Sequence, residues 1–153
     1  MRYEYIEPFV TSTVRVIDSI IQSDIAKGDI SLIRGEEIAG DVAIIIRLEG
    51  DSEGSIILNM DTETARKICS VMNDAPFESL TAFGIDSIAE LANMIAGNAA
   101  SVLNDMGFKF DVLPPQVVIK DSMRDKTSCR EVFQVPLFTE YGEITMNIAM
   151  RTN

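Results

Sequence analysis

The chain of 153 residues contains no histidine, no tryptophan and only two cysteines. Without histidine it cannot use an imidazole as a general acid or base, build a Ser-His-Asp triad or supply the commonest zinc ligand. Cys69 and Cys129 are far apart and in no metal-binding spacing, and the apolar helical surroundings of Cys69 predict a small buried residue. These absences argue against a histidine-dependent hydrolytic centre, a metal site and a disulfide.

Basic residues are also scarce, with 13 Lys and Arg against 24 Asp and Glu and a net charge of −11. Because contacts to phosphates need clustered basic side chains, we expect no binding to nucleic acid or to an anionic membrane. The longest apolar stretch, residues 42–46, is too short to cross a bilayer, and no signal-peptide pattern is present. The sequence therefore predicts a cytoplasmic protein.

Apolar residues make up 46% of the chain, which is enough for one core, and we predict a single domain over residues 1–153. The predicted helices span residues 5–23, 62–72 and 79–105. The predicted strands span residues 30–39, 41–48, 54–60, 116–120, 130–139 and 143–150. The order α-β-β-β-α-α-β-β-β indicates an α+β fold, an antiparallel sheet covered by helices.

Turn signals refine this prediction. Turns at Gly40-Asp41 and at residues 49–52 predict that the first three strands form a meander. Asp61 is predicted to cap the second helix, and Gly107 to end the third in a left-handed conformation. Pro136 indicates an edge position or a bulge, since proline cannot donate to a ladder.

The predicted helix 79–105 has two opposite faces. Its apolar stripe consists of Ile85, Ile88, Leu91, Ala92, Ile95, Ala99, Val102 and Met106. The opposite side, here called the polar row, consists of Asp86, Glu90, Asn93, Gly97, Ser101 and Asn104. Alanines, including Ala89 and Ala96, border the row and make that side low and flat.

Within the polar row, Glu90 and Asn93 are one helical turn apart and project together. A carboxamide is no useful base, but it can hold a water molecule in line with a scissile bond, as a glutamine does in GTPases. The pair would therefore complete an active site on another protein better than it would form one alone. On pattern alone, a solvated helix face with a few weak helix formers is the simpler interpretation.

The spacing Asp86-x3-Glu90-x2-Asn93, with Pro115 further along, resembles the signature of the CheC/CheX/FliY family of chemotaxis phosphatases. The surroundings are also similar, in ELANMIAG at 90–97, PPQVV at 114–118 and EGSII at 53–57. Family members of the CheC and FliY type carry two such helices. Here only one is evident, since the first helix has Asp18 but no E-x-x-N, so the chain resembles the CheX members.

This resemblance implies a hydrolase that removes the aspartyl phosphate from a CheY-type response regulator in chemotaxis. Asn93 would orient the attacking water, and Glu90 would pair with a lysine of the receiver domain. The chain would need no cofactor of its own, because the receiver supplies Mg²⁺. Ala89, Ala96 and Gly97 would let the two surfaces approach closely. Asp86 would either touch the partner or support Glu90.

The resemblance further implies a homodimer that pairs through an edge strand, which we expect in the regions 130–139 and 143–150. Two alternatives remain. One is a non-catalytic module that binds receivers or flagellar-motor components, and the retained Glu90 and Asn93 argue against it. The other is a dimerisation domain whose polar row is merely solvated. The identity of the response regulator and its pathway are left open.

Overall fold

The computed structural model describes residues 3–34, 40–50, 52–79, 81–119 and 131–152. Within these ranges the helices are α1 Tyr3–Ile21, α2 Thr62–Asn73 and α3 Ala82–Asp105. The strands are β1 Ala26–Lys27, β2 Ser31–Arg34, β3 Val42–Gly50, β4 Ser52–Met60, β5 Phe110–Val112, β6 Gln116–Ile119, β7 Glu131–Thr139 and β8 Gly142–Thr152.

The strands form one antiparallel sheet in the order β1-β7-β8-β4-β3-β5, with β2 also paired to β7 and β6 to β3. The predicted α+β fold with an antiparallel sheet is therefore confirmed. The hairpins β3–β4 and β7–β8 also form as predicted.

The predicted meander of the first three strands is wrong. β2 does not pair with β3; it pairs with β7, and Leu32 lies opposite Phe133. A turn signal at Gly40-Asp41 describes only neighbouring residues, whereas this pairing joins segments about a hundred residues apart. The rest of the predicted strand, residues 35–39, lies outside the described residues.

The predicted dimer edge is also wrong, because β7 and β8 lie inside the sheet. β8 pairs with β4 and β7, and β7 pairs on its other side with β1 and β2. Pro136 lies opposite the break between β1 and β2, where the Gly28 N–H donates to its carbonyl. Its missing N–H therefore costs no hydrogen bond of the ladder. A Cβ on Gly28 would come 2.5 Å from the Pro136 ring, so only glycine fits this close approach.

The three helices cover one face of the sheet. Inward side chains of β3, β4, β7 and β8 form one core with buried side chains of all three helices, and Ile44, Leu58 and Ile148 contribute to it from the strands. Helix ends follow local chemistry. The Asp61 carboxylate accepts from the Thr64 N–H at 2.7 Å, as predicted, and Gly107 has φ +86°.

Two of the helix ends that differ from the predicted bounds have a local cause. α1 ends at Ile21, because Gln22 takes a left-handed conformation with φ 51°. α3 begins at Ala82 because the Thr81 hydroxyl accepts from the Gly84 N–H and caps the helix there.

Candidate docking and active site on helix α3

The polar row is exposed along its whole length. Asp86, Glu90, Asn93, Gly97, Ser101 and Asn104 all face solvent. Ile88, Leu91, Ile95 and Ala99 on the opposite side are buried. The helix has 24 residues, so the row runs along a rod about 36 Å long.

Glu90 and Asn93 are exposed and free. Neither forms a hydrogen bond or an ion pair within the part of the chain that the structure describes. Their side chains have acceptors on Glu90 and both donors and an acceptor on Asn93, all available to another molecule. Since a helix fixes the spacing of its side chains, the two present a carboxylate and a carboxamide side by side. The backbone needs no further ordering to bring them together.

Asp86 lies one turn before Glu90 and is also exposed. It has no hydrogen bond or ion pair with any described residue. It therefore makes no contact that would hold Glu90 in place.

The alanine border differs from the prediction. Ala89 is half-buried, but Ala96 is only 7% exposed and belongs to the core, so it offers a partner almost no surface. The helical spacing left Ala96 between the two faces, and the packing of α3 into the core buries it. Gly97 is exposed, and a Cβ built on it would meet nothing within 4 Å.

The rest of α3 is fixed to the other helices. The Cys69 thiol of α2 donates to the Gly84 carbonyl at 3.1 Å, and the Asn73 amide donates to the Ser87 hydroxyl at 2.7 Å. From α1, the Ser12 hydroxyl donates to the Asn98 carbonyl oxygen at 3.3 Å. These hydrogen bonds hold α3 against α1 and α2, while its polar row faces solvent.

Cys69 is no nucleophile in this arrangement. It is buried as predicted, and burial raises the pKa of its thiol to about 11, so it remains protonated at neutral pH. Cys129 lies outside the described residues.

Sequence reasoning missed the apolar flank of the polar row. Phe83 is 59% exposed and Met94 is 45% exposed, on the same side of α3 as Glu90. Phe83 packs edge-to-face on Phe77 with ring centroids 5.8 Å apart. The available signal was their position on the helix, since both are large apolar residues that fall outside the buried stripe.

Met94 also lines an open groove of about 540 Å³. The groove lies between the C-terminal ends of α1 and α2 and the middle of α3. It could not be read from one helical period, because three elements form it.

Two general site types are not found among the described residues. They contain no group of three or more Cys, Asp or Glu side chains that could hold a metal ion. No helix in these ranges is long and apolar enough to span a membrane.

Comparison with known proteins places these features in a family. Residues 42–137 match the family model of the chemotaxis phosphatase CheX. The CheY-P phosphatase CheX of Thermotoga maritima is 28% identical over 123 residues, which cover 80% of this chain and 79% of that protein.

Solved structures agree. A chain in the CheX-CheY-BeF3-Mg²⁺ complex of Borrelia burgdorferi superposes with a TM-score of 0.83 and 30% identity, covering 98% of this chain and 99% of that one. The chemotaxis protein CheX of Vibrio vulnificus superposes with a TM-score of 0.82 and 26% identity, over 97% and 99% of the two chains. The fold, the signature and the family model agree, and this chain belongs to the CheX family of chemotaxis phosphatases.

Proposed function

We propose that this protein ends a chemotaxis signal by hydrolysing the aspartyl phosphate of a CheY-type response regulator. The observation that carries the proposal is the exposed pair Glu90 and Asn93, which has no partner among the described residues and stands on a helix held against α1 and α2. The relative from Thermotoga maritima is a CheY-P phosphatase, and the Borrelia burgdorferi complex contains CheY with BeF3 and Mg²⁺. Both support the same substrate class.

Asn93 would be the catalytic residue. Its carbonyl oxygen would accept a hydrogen bond from a water molecule and hold that water in line with the bond between phosphorus and the aspartyl oxygen. A new bond forms between the water oxygen and phosphorus, and the bond to the aspartyl oxygen breaks. The receiver regains its carboxylate, and phosphate leaves with the oxygen and both protons of the water. Asn93 takes no proton, so its contribution is position.

Glu90 would fix the docking. Its carboxylate lies one turn from Asn93 and would pair with a lysine of the receiver, which sets the height and rotation of the amide. We further propose that Asp86, Ala89 and Gly97 form the surface that meets the receiver. The chain would bring no cofactor, and Mg²⁺ bound by the receiver would neutralise charge on the phosphoryl oxygens.

The test is the lifetime of phosphorylated receivers from the same organism, each mixed with the parent protein, Asn93→Ala, Glu90→Ala or the control Asn104→Ala. We expect one receiver to lose phosphate rapidly with the parent and the control. Asn93→Ala should lower kcat by about a hundredfold, the size expected when one positioned group is removed. Glu90→Ala should mainly raise KM.

Two outcomes would contradict the proposal. Asn93→Ala could release phosphate as fast as the parent, which would remove the amide from the reaction. The parent could instead bind the receiver without shortening the phosphate lifetime, which would favour a receiver-binding or motor-adaptor module.

We also propose a cytoplasmic homodimer. With β7 and β8 inside the sheet, pairing would use the edge formed by β1 and β2 or the edge formed by β5 and β6, where Leu32 and Ile119 are exposed. Sedimentation equilibrium of the parent and of Leu32→Lys and Ile119→Lys tests this. A parent that sediments as a monomer at all concentrations would contradict it.

A further inference from the structure

The groove beside the polar row is lined by apolar side chains from three helices and by the exposed residues Ser19, Gln22 and Asp74. Ile20 of α1, Val71 and Met72 of α2, and Met94 of α3 line it. Ile20, Val71 and Met72 are half-buried and rest on the core, so the floor is fixed, whereas Met94 reaches out to solvent. The volume of about 540 Å³ exceeds that of a long side chain, and its open side lets a side chain of another protein enter.

The mouth of this groove is electronegative. α1 ends at Ile21 and α2 ends at Asn73, so two helix C-termini with their partial negative charge meet there. Asp74 adds a full charge at the rim, and no Lys or Arg is among the described residues that line the groove. An apolar interior below a negative rim fits an aliphatic chain that ends in a positive charge.

The groove reaches the neighbourhood of the candidate active site through Met94. Met94 follows Asn93 directly and lies one turn beyond Glu90 on the same helix, a separation of about 6 Å along the axis. A protein that brings a phosphoryl group to Asn93 would therefore cover the groove as well.

We propose that the groove receives a lysine or arginine side chain of the same response regulator, with Met94 and Asp74 as its positioning residues. This inference rests on the proposed function. It adds a second contact beyond the pair of Glu90 with the receiver lysine, and this contact would select among receivers by the presence of a basic residue at one place on their surface.

The test uses two substitutions from different elements. Met94→Gln keeps the length of the side chain and removes its apolar contact. Asp74→Asn removes the charge and keeps a residue that tolerates φ 49°. Met106→Gln and Asp105→Asn are the matched controls, since both change the same residue types near the far end of α3.

Both KM for the phosphorylated receiver and Kd for the receiver loaded with BeF3 and Mg²⁺ should be measured. We expect Met94→Gln and Asp74→Asn to raise both constants by about five- to tenfold, with kcat within about twofold of the parent. Asp74→Asn should also weaken the dependence of Kd on salt concentration. The two controls should leave all constants unchanged.

The inference is overturned if Met94→Gln and Asp74→Asn both leave KM and Kd within about twofold, or if they alter the oligomeric state instead. A parent that hydrolyses the receiver while these variants bind it normally would refute only the groove contact. A parent that does not hydrolyse any receiver would refute the proposed function itself.

Discussion

Two groups of amide side chains in this protein have opposite surroundings. On the sheet face turned away from the helices, Gln134, Asn147 and Asn59 form a chain across β7, β8 and β4. The Gln134 amide donates to Asn147 at 2.9 Å, and the Asn147 amide donates to Asn59 at 2.6 Å and to the Ile57 carbonyl at 2.9 Å. Asn147 is fully buried. On α3, Asn93 is exposed and has no such partner among the described residues.

The difference separates polar groups that hold the fold from polar groups that are free to act. A buried amide whose hydrogen bonds are all formed stabilises one register of three β-strands. Removing it leaves the neighbouring polar groups without hydrogen-bond partners. An exposed Asn on a helix does not stabilise the fold more than Ala would, since Asn is the poorer helix former. The same residue type therefore predicts opposite consequences at positions 147 and 93.

The largest effect should follow Asn147→Ala. We expect the free energy of unfolding to fall by about 3 kcal/mol, because Gln134, Asn59 and the Ile57 carbonyl each lose a buried partner. Asn93→Ala should change it by less than about 0.5 kcal/mol. Urea denaturation of both variants and the parent measures this. If Asn147→Ala and Asn93→Ala lowered the free energy of unfolding equally, the contrast between the buried and the exposed amide would be wrong.

A smaller effect should follow Asp61→Ala at the start of α2. The Thr64 N–H, and then its hydroxyl, hold the pKa of the Asp61 carboxyl below its ordinary value of 3.8. The capping contribution, about 1 kcal/mol, is complete above that ordinary value and is lost as the pH falls through the lowered folded-state pKa. The difference in the free energy of unfolding between parent and variant should therefore be smaller at pH 2 than at pH 7.

The control for this prediction is Asp24→Ala, since Asp24 is an exposed residue with a free carboxylate among the described residues. It should leave stability unchanged at both pH values. A loss at Asp61→Ala that persists undiminished at pH 2 would mean that the cap is not the source of the effect.

Much of this architecture could be predicted because its causes are local. The period of α3 alone placed the whole polar row, from Asp86 to Asn104, on the exposed side. The cap at Asp61, the left-handed Gly107 and the hairpins β3–β4 and β7–β8 likewise depend on neighbouring residues and their turns.

The errors share a cause, which is distance along the chain. The pairing of β2 with β7 and the burial of Ala96 depend on elements that a local pattern does not contain. The groove beside Met94 needs the ends of α1 and α2 as well as α3. Helical spacing and then the family resemblance selected Glu90 and Asn93, whereas what surrounds them required the assembled fold.

Gly97→Ala would sharpen the distinction between stability and activity within the polar row. The position is helical and open, so alanine should raise the free energy of unfolding by about 1 kcal/mol. The added methyl group should weaken receiver binding if two surfaces approach closely there. Gly28→Ala is the opposite control, because its Cβ would clash with Pro136 and lower stability.

A third kind of polar group, buried but unsatisfied, should give the smallest effect. The Thr13 hydroxyl of α1 is buried and has no hydrogen-bond partner among the residues that the structure describes. Thr13→Val replaces it with a methyl group of similar shape and should raise the free energy of unfolding by about 0.5 kcal/mol, since the desolvation cost of the hydroxyl disappears. Thr13→Ser keeps the hydroxyl and removes the methyl group, so thermal unfolding should show a loss. A destabilised Thr13→Val would mean that the hydroxyl has a partner, and would move Thr13 to the class of Asn147.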